Sequence, residues 1–236
     1  MVKKSFDRTY YDNEYYDKRP QIDPYLVYIL DHYVLSGVEK KTILDAGCGS
    51  GVYVDFMRSR GERVFGIDFS YDAAKLSGQM NASALSLPFK NESFDVIVSI
   101  HVIEHLSPDD IDVFFSECRR VLKKNGLIFI MTPNALSPGR FILREKWFPD
   151  PSHINIFSPF RLGRVLKKNG FLHPRHIFQL ALDKVKRTDK DIVRYYGLDR
   201  IFRRAPFLQD MLFYWLYSTP LAYFRDVVYT RAQVNK

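Results

Sequence analysis

The stretch TILDAGCGSGVYVDF, residues 42–56, decides how the rest of the chain is interpreted. An apolar run ends in Asp45, three glycines follow within a few residues, and a helical pattern starts at Val52. This order predicts a strand, a tight turn and the N-terminus of a helix. Glycine adopts positive φ easily and lets a ligand approach the backbone where a Cβ would collide. The stretch therefore predicts a ligand-binding turn.

Two ligand classes use such a turn. A dinucleotide-binding loop reads G-x-G-x-x-G and receives a pyrophosphate at the helix N-terminus. Here the glycines stand at Gly47, Gly49 and Gly51, so the third comes one residue too early for that pattern. Asp45 would in addition repel a pyrophosphate and attract an ammonium group. Both observations disfavour a nicotinamide oxidoreductase and favour a ligand that is cationic near the turn.

A second carboxylate fits the same ligand. The segment VFGIDFS, residues 64–70, ends a predicted strand with Asp68. This residue follows the start of the glycine turn by roughly 20 positions, the spacing at which a carboxylate accepts both hydroxyls of a ribose. A ribose and an amino group without a phosphate describe S-adenosylmethionine.

Short β-branched runs alternate with longer amphipathic segments along the chain. The pattern predicts strands at 42–46, 63–67, 94–100 and 127–132, and helices at 23–35, 52–60, 72–79, 109–124 and 158–168. Strands separated by helices predict an α/β, Rossmann-like fold, a mostly parallel sheet with helices on both faces. The tetrapeptide KKNG occurs twice, and we interpret both copies as helix ends.

The domain organisation follows from changes in composition. Residues 1–183 are predicted to form one domain, with an aromatic lid segment at about 1–22 and a proline-rich insertion at about 134–157. Residues 184–236 are first basic and then aromatic, and we expect them to form a helical C-terminal appendage.

Composition limits the classes of partner and location. The 236 residues carry a formal charge of +8, which favours anionic partners. Cys48 and Cys118 form neither a disulfide framework nor a zinc spacing, which is typical of a cytoplasmic protein with reduced thiols. No apolar run approaches the ~20 residues that cross a bilayer, and the first residues lack the apolar core of a signal peptide.

Four blocks of sequence carry a resemblance to a known family. They are ILDAGCGSG at 43–51, VFGIDFS at 64–70, LPFKNESFDVIVSIHVIEHL at 87–106 and RRVLKKNGLIFIMTPN at 119–134. In this order the blocks resemble class I S-adenosylmethionine-dependent methyltransferases, especially the group with the ubiquinone and menaquinone biosynthesis enzymes. The resemblance covers about 10–171. It implies the class I methyltransferase fold and S-adenosylmethionine as the cofactor.

The resemblance also implies roles for single residues. The glycine turn would wrap the methionine part of the cofactor, Asp68 would bind the ribose and Phe69 would lie against the adenine. Many relatives carry an Asp before the LPF block; Ser83 stands there in this chain, so its hydroxyl or the neighbouring backbone would meet the adenine amino group. The implied cofactor-binding set is Asp45, Gly47, Cys48, Gly49, Gly51, Asp68, Phe69, Ser83, Ala84, Leu85, Ile100 and His101.

Transfer of a methyl group to a hydroxyl requires removal of a proton, and histidine is the usual base near neutral pH. His101 follows the fourth predicted strand and His153 lies in the insertion, so both are predicted catalytic residues. We expect His105 to brace the helix that follows it. No acidic cluster follows that strand, so we predict no metal site. The segment SIHV, residues 99–102, lacks the Pro-Pro-aromatic motif of enzymes that methylate nucleic-acid bases on nitrogen.

We expect O-methylation of a small apolar, lipid-linked or glycan-type acceptor, and C- or N-methylation of a small molecule remains open. An RNA methyltransferase, which the positive charge permits, and a non-catalytic S-adenosylmethionine-binding protein remain as alternatives. The basic and aromatic C-terminal region suits packing on the main domain or across a homodimer. It also suits peripheral contact with the inner face of a membrane. Binding to nucleic acid is the least favoured of these roles. The chain is expected to be a monomer or a homodimer.

Overall fold

The computed structural model describes residues 22–37, 39–137, 150–177 and 227–234. The strands are β1 (Thr42–Ala46), β2 (Arg63–Asp68), β3 (Met80–Asn81), β4 (Phe94–Ile100), β5 (Leu122–Pro133), β6 (Phe171–His176) and β7 (Val227–Val234). The helices are α1 (Pro24–Tyr33), α2 (Val52–Ser59), α3 (Tyr71–Ser77), α4 (Pro108–Val121) and α5 (Pro159–Lys168), and Ile103–His105 forms one 3₁₀ turn.

The seven strands form one sheet in the order β3-β2-β1-β4-β5-β7-β6. The first five are parallel, while β7 runs antiparallel to both β5 and β6. The strand order reverses between β1 and β4, which is the topological switch point of a doubly wound sheet. Ligands of such sheets bind outside the carboxyl ends of the strands at this point. The predicted α/β fold is confirmed.

Helices cover both faces of the sheet because the strands are apolar on both sides. On one face, α1 and α2 pack Leu30 and Met57 against Val98 and Phe129. On the other face, α4 and α5 supply the second cluster, in which Phe114 and its neighbours pack against the opposite side of β4 and β5. All of these side chains are buried. This two-sided burial leaves the carboxyl edge of the sheet as the place where polar groups converge.

The two KKNG segments have different structures. The segment at 167–170 ends α5, and Gly170 has a φ of 81°, as expected for a helix C-terminus. The segment at 123–126 lies inside β5, because α4 already ends at Val121. Asn125 there has a φ of 60° and the pairing of β4 with β5 shifts between Phe94 and Val96. The prediction of a helix end at this segment is wrong: a left-handed residue also fits an irregular start of a strand.

The sheet contains strands that the sequence pattern did not predict. The strand β7 falls within 184–236, the range predicted as a helical appendage, yet it lies between β5 and β6. For residues 227–234 the prediction of a helix is wrong. The strands that pair with β7 are distant from it in sequence, so they leave no local signal. Residues 178–226 lie outside the described part of the chain, as do the lid segment 1–21 and 138–149 of the insertion.

Among the residues that the structure describes, no helix has the length and the apolar character needed to span a bilayer.

Removal of β7 is expected to abolish cooperative folding. A chain that ends at residue 226 leaves β5 with one unpaired edge and β6 without the strand that it pairs with. Urea titration followed by circular dichroism is the measurement, and a chain that ends at Val234 is the matched control. A sharp transition in the shorter chain, like that of the control, would show that β7 is dispensable.

Candidate functional site

The glycine turn connects β1 to α2 at the switch point of the sheet. The backbone N–H groups of Gly47 and Cys48 both donate to the carbonyl oxygen of Ile67, at 2.9 and 2.8 Å. These bonds hold the turn against the carboxyl end of β2. The glycines at 47, 49 and 51 have φ values of 89°, 51° and 77°, in the left-handed region that favours glycine.

Protein neighbours also require glycine at two of these positions. A Cβ on Gly47 would lie 2.3 Å from Cγ2 of Val102, and a Cβ on Gly51 would lie 2.8 Å from Cβ of Ser77. The turn therefore packs directly on the segment that follows β4 and on the end of α3. The sequence analysis explained the glycines by space for a ligand alone, whereas the structure adds this close packing as a second reason.

Asp45 lies at the carboxyl end of β1 and is 1% exposed. Its Oδ1 has no hydrogen-bond partner within the described residues. Burial and, to a smaller extent, the negative charge of Asp68 together raise the pKa of Asp45 to about 7. An orphaned acceptor that is fully buried is costly unless a bound group satisfies it. A ligand ammonium group has the charge and the donors to do so.

Asp68 ends β2 and is 6% exposed. Its Oδ2 accepts a hydrogen bond from the N–H of Gly49 at 2.8 Å, and its Oδ1 accepts one from the N–H of Ser70 at 2.9 Å. These two backbone donors fix the plane of the carboxylate between the glycine turn and the start of α3. The predicted ribose-binding residue thus contacts the predicted methionine-binding turn directly.

The segment after β3 lies beside Asp68 and completes this half of the site. The N–H of Ala82 donates to the carbonyl oxygen of Asp68, and the side-chain amide of Asn81 donates to the carbonyl oxygens of Asp68 and Phe69. Phe69 is 47% exposed, as suits a ring that would cover an adenine. The sequence analysis missed Asn81, whose role depends on the pairing of β2 with β3.

The residues predicted to meet the adenine amino group come directly after Ala82 in the sequence. Ser83 Oγ accepts a hydrogen bond from the N–H of Leu85 at 3.1 Å, so Ser83 shapes a local turn in addition to offering a hydroxyl. Ala84 and Leu85 pack partly buried against the hydrophobic core. Cys48 is buried beside the glycine turn, and burial raises the pKa of its thiol, which stays protonated at neutral pH.

A second polar group lies across the switch point, after β4. Ile100 ends that strand, and His101 follows with a φ of 54°, which is uncommon for a residue other than glycine. Nδ1 of His101 lies 2.8 Å from Oε1 of Glu104, and the other oxygen of Glu104 accepts from Oγ1 of Thr132 at 2.9 Å. Glu104 is 0% exposed. Sequence analysis did not assign Glu104 a role, although its spacing of three residues from His101 was a signal.

The charge of Glu104 is maintained by its surroundings. Burial alone would raise its pKa, but the hydrogen bond with His101 and the electrostatic interaction with the imidazoles of His101 and His105 outweigh burial and lower the pKa of Glu104. A buried carboxylate next to an imidazole is the arrangement that orients a histidine for proton transfer.

His105 and His153 lie next to this pair. Their ring centroids are 4.8 Å apart, and Nδ1 of His105 lies 2.7 Å from Oγ of Ser152, which in turn donates to Asp150. Burial is the main cause that lowers the pKa of both histidines. The structure thus brings the predicted catalytic residue His153 to the same polar cluster as His101, and it places His105 where it braces the segment 150–157.

Three donor groups of this cluster have a spacing that a metal ion could bridge. One ligand atom each from Glu104, His105 and His153 lies within 4.8 Å of the others. The sequence analysis predicted no metal site, and that remains a prediction. Both oxygens of Glu104 already take part in hydrogen bonds, with His101 and with Thr132.

Comparison with known proteins shows that part of this chain is similar to a known family. Residues 44–130 match the family model described as a methyltransferase domain, a range that includes the glycine turn, Asp68 and His101. This part of the chain is similar to the class I S-adenosylmethionine-dependent methyltransferases. Its resemblance to this class, inferred from the four sequence blocks, is confirmed, and so is S-adenosylmethionine as the cofactor of the class.

Two curated relatives illustrate the similarity. A ubiquinone biosynthesis O-methyltransferase from Pelagibacter ubique is 34% identical over 149 residues, which is 54% of this chain and 60% of that protein. A probable S-adenosylmethionine-dependent methyltransferase from Mycolicibacterium smegmatis is 37% identical over 142 residues, 56% of this chain and 52% of that protein. The chain therefore aligns with little more than half of each relative.

A solved structure shows the same fold over a longer range. The crystal structure of a methyltransferase from Archaeoglobus fulgidus, dependent on the same cofactor, matches with a TM-score of 0.61. The match covers 88% of this chain and 92% of the other, at 20% sequence identity. Identity this low shows the shared fold and not a shared acceptor.

Replacement of Asp45 by Asn is expected to stabilise the ligand-free protein at pH 8. The pKa of Asp45 is raised to about 7 in the folded state from 3.8, so the folded protein binds a proton there that the unfolded chain has lost. The free energy of unfolding of the wild type therefore falls as pH rises from about 4 to 7. Asp45→Asn removes that loss. We therefore expect its free energy of unfolding to exceed that of the wild type by on the order of 3 kcal/mol at pH 8 and by much less at pH 5.

Chemical denaturation at both pH values measures this difference. Asp95→Asn is the matched control, because its change in the free energy of unfolding is expected to have the opposite sign. Burial opposes ionisation of Asp95, but its hydrogen bonds with Lys123 and with the N–H of Thr42 lower its pKa. The control is therefore expected to lose stability at pH 8. Equal changes in the free energy of unfolding of the two variants would contradict the assignment of Asp45 as a strained, buried carboxylate.

Proposed function

We propose that this protein transfers a methyl group from S-adenosylmethionine to a hydroxyl group of a small acceptor molecule. The observation that carries the proposal is the buried, orphaned Oδ1 of Asp45 beside a turn of three left-handed glycines. A phosphate would be repelled there, whereas an amino acid ammonium group would be bound. The residues present thus fit the cofactor of the family.

Each part of the cofactor has a group to hold it. Asp45 and the glycine turn would hold the amino acid part, Asp68 the ribose, and Phe69 with the segment 81–85 the adenine. When bound, S-adenosylmethionine supplies an electrophilic methyl group on a positively charged sulfur. The side of the site that remains for an acceptor is the carboxyl end of β4, where His101 and Glu104 lie. His101 and His153 are the groups that we assign to proton removal.

Two observations support a hydroxyl as the acceptor group. The Pelagibacter relative is named as an O-methyltransferase, and a hydroxyl is the acceptor that requires a base such as His101. We propose an apolar or lipid-linked acceptor, or one of glycan type. A monomer or homodimer in the cytoplasm, with peripheral contact to the membrane through the C-terminal region, remains our proposal for the assembly and location of the protein.

Asp68→Ala is expected to weaken the binding of S-adenosylmethionine by about 2 to 4 kcal/mol, because charge-assisted hydrogen bonds to the ribose are lost. Isothermal titration calorimetry with S-adenosylmethionine and its demethylated product is the measurement. Asp55→Ala, an exposed carboxylate on α2, is the control and should bind as the wild type does. Unchanged affinity in Asp68→Ala would remove the ribose assignment, and NAD binding would remove the proposed function.

Methyl transfer is expected to reach an oxygen atom. We would incubate the protein with S-adenosylmethionine that carries a labelled methyl group and with three probes: an alkyl-substituted dihydroxybenzene, an alkylamine and total RNA. The label should appear as an O-methyl ether of the first probe and be lost in His101→Gln, while the exposed His173→Gln serves as the control. Label in RNA or on the amine would contradict O-methylation, and binding without any transfer would favour a non-catalytic protein.

A further inference from the structure

We infer that Glu104 is a positioning residue that holds His101 in the tautomer with its basic nitrogen at Nε2. This inference rests on the proposed function, because it names the group that prepares His101 to accept the proton of the acceptor hydroxyl. The observation that carries it is the contact between Nδ1 of His101 and Oε1 of Glu104 at 2.8 Å.

The tautomer follows from the bonding of Glu104. Its Oε2 accepts from Oγ1 of Thr132, and its Oε1 contacts Nδ1 of His101. An ionised carboxylate has acceptors only, so the imidazole must supply the proton at Nδ1. In a neutral imidazole with a proton on Nδ1, the other nitrogen carries the lone pair. His101 can therefore take up a proton only at Nε2.

Glu104 is itself fixed through both its side chain and its backbone. Its side chain is 0% exposed and bonds to Thr132 near the end of β5. Its carbonyl oxygen accepts from the N–H of Asn155 at 3.0 Å, which ties the turn after β4 to the segment 150–157. The bonds to Thr132 and His101 hold the carboxylate itself, and the bond from Asn155 holds the turn that carries it. Such fixed geometry is what keeps a base productive.

The backbone of His101 agrees with a ring held in place. Its φ of 54° lies in the left-handed region, and its N–H donates to the carbonyl oxygen of Met131 at 2.9 Å. Uncommon backbone conformations of this kind cluster at functional sites, where surrounding contacts maintain them. The side chain remains 32% exposed, so an acceptor can reach the ring.

The proton transfer then has a defined direction. With the cofactor bound, the acceptor oxygen would form a bond to the methyl carbon while the bond between that carbon and sulfur would break and leave its electron pair on sulfur. The proton of the acceptor hydroxyl moves to Nε2 of His101. The imidazolium that results lies against the negative charge of Glu104, which stabilises it. A neutral side chain at position 104 would lack this stabilisation.

Nitrogen-15 NMR of the histidine rings tests the inference without an acceptor. In the wild-type protein saturated with the demethylated cofactor, the His101 ring is expected to show a protonated Nδ1 and an unprotonated Nε2, with the Nδ1–H proton shifted downfield. His101→Gln assigns the signal. In Glu104→Gln the proton signal should move upfield or be lost to exchange with water, because a neutral acceptor forms a weaker hydrogen bond.

Ser152→Ala is the matched control, since it removes the partner of His105 and leaves the contact of His101 intact. It should shift the signals of His105 and of its neighbour His153 while it leaves those of His101 unchanged. A wild-type His101 with its proton on Nε2 would overturn the inference, and so would a His101 signal that is the same in Glu104→Gln as in the wild type. If Glu104→Gln does not fold, the tautomer of His101 in the wild-type protein still tests the inference.

Kinetics provide a second readout on whichever probe accepts the methyl group. Glu104→Gln is expected to lower kcat about 10²-fold with KM unchanged, as for the loss of a general base's support. Calorimetry separates the two proposals: absence of cofactor binding would defeat the proposed function, whereas normal binding with normal kcat in Glu104→Gln would defeat only the role of Glu104.

Discussion

The hydrogen bond from the N–H of Gly49 to the carboxylate of Asp68 is the interaction on which the site depends. It joins the turn after β1 to the end of β2, and the bonds from Gly47 and Cys48 to Ile67 hold the same two segments together. The turn can come this close only because its glycines have no side chains, and a Cβ on Gly47 would collide with Val102. Contact between the turn, β2 and the segment after β4 therefore creates the site.

The site has two halves with opposite electrostatic character. Asp45 and Asp68 place two buried carboxylates near each other, and the mutual repulsion contributes to the raised pKa of Asp45. A cationic ligand relieves that repulsion, so the fold gives up stability in its ligand-free form in favour of binding. On the other side of the switch point, Glu104 is buried and its carboxylate is bonded to His101 and Thr132 within the protein. The first half suits binding and the second suits proton transfer.

Much of the fold and part of the site could be predicted from sequence, for reasons that are local. The strands β1 and β4 and the helix α2 have strong patterns of burial, and Asp45, Asp68 and the glycines stand at fixed distances from them along the chain. The left-handed φ of the glycines follows from residue type. By contrast, β7 pairs with β5 across nearly a hundred residues, and Asn125 mimics a helix end inside β5. No short window of sequence contains these relations.

The sequence by itself determined the α/β class, the identity of the turn and the two carboxylates that point to the cofactor, because each depends on neighbouring residues and their period. Tertiary structure decided which polar groups meet. Glu104 contacts Thr132 from β5 and Asn155 from the segment before α5, so its burial and orientation exist only after those elements pack. The same packing brings His153 to His105, forty-eight positions earlier in the chain. Contacts between distant segments depend on the whole free energy of folding, and a local pattern cannot encode them.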